Sequence, residues 1–98
     1  MSNIYVGQTA LRIQVTCSQD ITDAATLEIK YRKPDGTEGA WTGEEGVAAT
    51  GVIYYDIADA TILDQPGIWT FWAYIKFSDD KIGYGDAIEQ EVNAEGTL

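Results

Sequence analysis

The chain has 98 residues, 45% of them apolar, with sixteen Asp and Glu against six Lys and Arg, a net charge of −10 and no histidine. That length and apolar content suit one domain with its own core and exclude an intrinsically disordered chain. The charge repels phosphate backbones and anionic lipid surfaces, so nucleic acid is not an expected partner, and no apolar run approaches the roughly 18–20 residues of a membrane span.

Taken in chain order, strand alternation dominates. Met1-Ser2-Asn3-Ile4 has neither a charged nor an apolar signal region, so a product made in the cytoplasm is expected. Ile4 to Val6 is a short first strand closed by Gly7. Ala10 to Cys17 places Leu11, Ile13, Val15 and Cys17 on one face and Arg12, Gln14 and Thr16 on the other, the period of a half-buried strand. Cys17, the single cysteine, thereby reads as a buried thiol, and no disulfide forms within the chain. Ser18 to Ala25 is a polar connection. Thr26 to Arg32 alternates again, with Leu27, Ile29 and Tyr31 inward. Lys33-Pro34-Asp35-Gly36-Thr37 is a hairpin turn with a bulge, and a short strand centred on Trp41 returns from it. Thr42 to Gly46 reads as a polar loop.

Val47 to Ala58 holds a strand with Ile53, Tyr55 and Ile57 in one phase and Val52, Tyr54 and Asp56 in the other. Asp59 to Leu63 reads as one helical turn capped by Asp59. Pro66-Gly67 has type II turn chemistry and opens the strongest strand signal, with Trp69, Phe71, Ala73, Ile75 and Phe77 on one face. Trp69 stands where related sandwiches carry the aromatic of a tyrosine corner, its indole N–H within reach of the corner backbone. Ser78 to Lys81 is a tight turn. Ile82 to Val92 is a last strand with Ile82, Tyr84, Ile88 and Val92 sharing a phase broken by Asp86, and Gly83 and Gly85 mark a bulge or a close backbone approach there. About seven strands, with turns about every 8–12 residues, make an all-β, immunoglobulin-like antiparallel sandwich. The domain spans 1–93, with a flexible polar tail over 94–98.

No catalytic constellation is visible. Without histidine there is no Ser-His-Asp triad, Cys-His pair or histidine metal ligand. Glu44-Glu45 and Asp79-Asp80 are sequence neighbours in predicted loops, where a solvated surface explains them. Asp79-Asp80 falls short of the six or more oxygens a calcium site needs. No cofactor is implied. The aromatics carry the functional signal, because not all of them fall in the inward phase: Trp72, Tyr74, Tyr54, Trp41 and Tyr84 are the candidate interface. Trp72 and Tyr74 share the face opposite Trp69 and Phe71, and an uncovered row of this kind needs a protein partner or stacks on sugar rings.

Gln8 to Val15 is similar to the opening strand of small immunoglobulin-like proteins of tailed bacteriophages. Asp20 to Ile29, the Lys33-Pro34-Asp35-Gly36 hairpin, Gly51 to Tyr55 and Leu63 to Trp69 resemble further segments of that pattern, in the same order. The named family it resembles is the N-terminal domain of phage baseplate upper proteins. The resemblance implies a non-enzymatic virion protein of the tail, baseplate, head–tail connection or capsid decoration, made in the bacterial cytoplasm and docking to copies of itself or to other phage structural proteins. A carbohydrate-binding module with a glycan partner is the first alternative. A small acidic inhibitor of a host nucleic-acid-binding protein is the second.

Overall fold

A computed structural model describes residues 4–94 and residue 96. Within them the strands are β1 (Ile4–Tyr5), β2 (Leu11–Thr16), β3 (Ala24–Arg32), β4 (Glu38–Thr42), β5 (Glu44–Val47), β6 (Val52–Ile57), β7 (Gly67–Phe77), β8 (Ile82–Tyr84) and β9 (Ile88–Asn93). The larger sheet runs β1-β9-β7-β3-β4, with β8 also on β7, and the smaller runs β2-β6-β5. Neighbours pair antiparallel except β1 and β9, which run parallel with Ile4 beside Val92 and Tyr5 beside Asn93. Of the N-terminal segment and the 94–98 tail, residues 1–3, 95, 97 and 98 lie outside the described residues.

The core fills the space between the sheets. Ile13, Val15 and Cys17 follow β2, Ile53 and Ile57 come from β6, Ile29 from β3, and Trp69, Phe71, Ala73 and Ile75 from β7, all buried. These are the inward phases that period-two alternation dictates. Cys17 is fully buried, and that burial pushes its thiol up. Native protein should therefore resist a thiol reagent, with labelling appearing only as the protein unfolds in urea; prompt native labelling would place Cys17 outside the core.

Two corners hold the sheets in register. At the β3–β4 hairpin, Lys33 N–H donates to Thr37 O at 2.8 Å, Gly36 N–H donates to Lys33 O at 2.9 Å, and Gly36 takes φ 91°. At the β7 corner, Gly67 has φ 127°, and a Cβ there would lie 2.8 Å from the Pro34 ring. The Gln65 carbonyl in front of it accepts the Trp69 indole N–H at 2.9 Å. The corner bond expected of Trp69 is thus present, made by an indole in place of a phenol.

Three expectations are corrected. Asp59 to Leu63 is a turn and not a helix: Asp59 Oδ1 accepts from the Thr61 amide and hydroxyl, both at 2.8 Å, which satisfies the chain locally without a helical repeat. The helix among the described residues is one 3-10 turn, Ala48–Thr50. Second, the polar loop after Thr42 contains β5, an edge strand whose four residues are all exposed. The chain changes sheets at Gly43, whose N–H donates to Leu27 O at 2.9 Å. Third, the last strand is broken at 85–87, and the break reverses its phase. Tyr84 pairs with outward Tyr74, whereas Ile88 pairs with inward Phe71, so Ile82 and Tyr84 do not share a face with Ile88 and Val92. At the break, Gly85 lies so close to β2 that a Cβ would stand 2.7 Å from Thr16 O.

Candidate docking surface

The outer face of the larger sheet gathers three of the five candidate residues. Trp72 and Tyr74 alternate with the buried Trp69, Phe71, Ala73 and Ile75 along β7 and point away from the core. Tyr84 stands directly opposite Tyr74, the two rings edge to face at 5.6 Å. Ile82, opposite Lys76, and Ile68, opposite Glu91, extend the row along β7. Tyr84 is 61% exposed, Ile82 51% and Ile68 46%. Exposed large apolar side chains on one sheet face make a patch that water covers poorly.

The other two candidates lie elsewhere. Trp41 faces the core, because β4 pairs it with inward Ile29; it stacks on Tyr55 at 4.9 Å and lies 4.8 Å from Tyr31. Tyr54 is on the outer face of the smaller sheet and is not beside Trp72 and Tyr74. The Arg12 guanidinium covers its ring at 3.9 Å.

Cations from β3 flank the patch. Lys30 pairs with Trp72 in register yet its ammonium lies 4.6 Å from the centre of the Tyr74 ring. Arg32, opposite Thr70, leans over Trp72 at 5.4 Å while binding Glu38 at 2.8 Å. These diagonal contacts follow from sheet twist, which brings residue i near j±2 on the next strand. They occupy ring faces that a sugar would stack on, which weighs against the glycan alternative. Glu28, Glu38, Glu89 and Glu91 edge the same face.

All six cations of the chain are already engaged. Arg12 binds Asp56 at 2.7 Å, Lys33 binds Asp64 at 3.0 Å, Lys76 reaches Asp80 at 3.7 Å and Lys81 reaches Asp79 at 3.9 Å, with Arg32 and Lys30 as above. The hydrogen bond between Arg12 and Asp56 raises the guanidinium and lowers the carboxylate from their ordinary values. Asp20, Asp35 and Asp59 are also held below the usual carboxylate range, each by hydrogen bonds from the threonine two positions on. This Asp-x-Thr signature, at Asp20-Ile21-Thr22, Asp35-Gly36-Thr37 and Asp59-Ala60-Thr61, marks three turns, and it is the signal by which the turn at Asp59 differs from the expected helix cap. Among the described residues, no three His, Cys, Asp or Glu side chains come together as a metal-binding set.

No protein-family model matches the sequence, and no curated protein is significantly similar to it. Among solved structures, the chain is similar to CopC from Methylosinus trichosporium OB3b, with a TM-score of 0.59 at 13% identity, covering 100% of this chain and 90% of that one. The fold is immunoglobulin-like. At that identity the likeness concerns architecture alone.

Proposed function

We propose that this chain is a non-enzymatic structural module of a tailed-phage particle, docking to neighbouring particle subunits through the outer face of its larger sheet. The observation that carries the docking reading is the clustering of Ile68, Ile82 and Tyr84, exposed, with Trp72 and Tyr74 on one face. An aromatic and aliphatic centre edged by charged residues has the make-up of a protein interface. The phage assignment rests on the motif order from Gln8 to Trp69, which resembles small immunoglobulin-like phage proteins.

The test is co-production with the products of neighbouring reading frames, followed by gradient sedimentation of assembled particles. The protein should travel with the particles, and Tyr84→Asp should leave it in the soluble fraction with its thermal unfolding unchanged. A wild-type protein absent from the particle fraction would sink the phage reading. A Tyr84→Asp variant retained in full would sink the outer face as the docking surface.

A further inference from the structure

A second surface lies at the free edge of the smaller sheet. β2 ends that sheet. Cys17 N–H donates to Gly51 O at 2.8 Å, and in an antiparallel pair such hydrogen-bonded positions recur at every second residue. Val15 and Ile13, opposite Ile53 and Tyr55, therefore turn their backbone groups toward β6, while Arg12 and Gln14 turn theirs to the open edge. Exposed edges are ordinarily guarded by charge or by brevity. β5 carries Glu44 and Glu45, β4 begins at Glu38, and β1 has two residues. β2 has no such guard: from Gln8 to Gln19 there is no carboxylate, in a chain that holds sixteen. Its one charge, Arg12, is held in place by Asp56 through Nε and Nη2.

The same flank opens onto a groove of about 250 Å³, lined by Ile4, Ile13, Phe71 and Ile88 with Arg12, Gln14 and Gln90. Ile88 is 43% exposed there.

We propose that two copies of this chain pair edge to edge through β2, in antiparallel register about Ile13, forming one six-stranded sheet. The occupant is a second copy for reasons of charge. Two chains of net charge −10 repel at most approaches, and this carboxylate-free flank is where their backbones meet with least repulsion. Gly85 lies against the Thr16 carbonyl and closes that end of the edge, which moves the two-fold axis to Ile13 and sets Arg12 opposite the partner's Gln14. The carboxamide accepts from the guanidinium. A two-fold axis perpendicular to the sheet leaves both larger sheets on the same side, so the two grooves face each other and Ile88 of each copy is covered.

Sedimentation equilibrium over a concentration series tests this. The wild type should approach twice 10.7 kDa. Gln14→Pro should remain a monomer with its fold intact, since the Gln14 N–H has no partner within one copy. Gln14→Lys sets a cation against the partner's Arg12 and should weaken association by about tenfold or more, equivalent to about 1.4 kcal/mol. Gln14→Glu should hold or tighten it. That order is the reverse of the net-charge effect, because the lysine makes the chain less negative and the glutamate more so. The lysine and glutamate pair decides the matter should the proline variant fail to fold. A monomer at every concentration, a dimer on which the two charge variants act alike, or a dimer lost with Tyr84→Asp would each overturn the proposal.

Discussion

Replacing Gly51 by alanine should destabilise the protein by about 3–4 kcal/mol, lowering the unfolding midpoint by about 4–8 °C for each of them. Gly51 follows the 3-10 turn with φ 75° and is buried. Two costs combine there. The left-handed backbone is unfavourable for any residue with a Cβ, by about 1–2 kcal/mol. The Cβ would also lie 2.6 Å from the Gln19 carbonyl oxygen and closer still to that of Cys17. Backbone atoms cannot rotate aside as a side chain does, so the Cys17–Gly51 bond joining β2 to β6 has to stretch. Gly36→Ala is the control. It has φ 91° but nothing within 4 Å of the added methyl group, so only the backbone term, about 1–2 kcal/mol, should appear. Equal losses in thermal unfolding for the two variants would show that steric contact at Gly51 contributes nothing.

Trp69→Ala should cost about 3–5 kcal/mol, close to the whole stability of a domain this small, and Trp72→Ala less than about 1 kcal/mol. The two indoles are three residues apart on β7 and face opposite ways. Trp69 is fully buried, packed against Phe71 at 6.1 Å and Tyr31 at 5.7 Å, and it anchors the corner through the Gln65 carbonyl. Trp72 is half-buried on the outer face beneath Arg32. Trp69→Phe keeps most of the packing and deletes the indole bond, so it should fall between them, near 1–3 kcal/mol. Urea unfolding of the three variants measures the order. Comparable losses at Trp69 and Trp72 would mean that the outer face is covered as tightly as the core.

Sequence pattern is informative where one face of a strand is buried and the other is not. β2, β3 and β7 satisfy that condition, and Ile13, Val15, Ile29, Trp69 and Phe71 lie where alternation puts them. The two corners were legible because Pro34, Gly36 and Gly67 encode backbone geometry directly. β5 was not, because all of Glu44 to Val47 is exposed and an edge strand without an inward side chain has no apolar period to read. The face reversal at 85–87 was legible only in part: Gly83, Gly85 and Asp86 mark an interruption there, but a phase is counted as though the strand were continuous, and nothing in those residues says that it inverts. Trp41 and Tyr54 were assigned to the outer patch by residue type, whereas their faces depend on pairings with β3 and β2 that no local pattern contains. Trp72, Tyr74 and Tyr84 came together across a tight turn, where pairing is local and alternation carries over.

The parallel pairing of β1 with β9 has a mechanical consequence. Tension applied outward at Ile4 and Asn93 pulls two parallel neighbours past each other and loads their bonds together in shear, without peeling them one by one. That contact is short, with Val6 N–H on Asn93 O at 2.9 Å and the Asn93 amide on Ile4 O at 3.5 Å. Behind it stand the five paired positions of β9 on β7. A stretched molecule would therefore release its first strand early and hold at the second, lengthening in two steps while the corner at Trp69 stays closed.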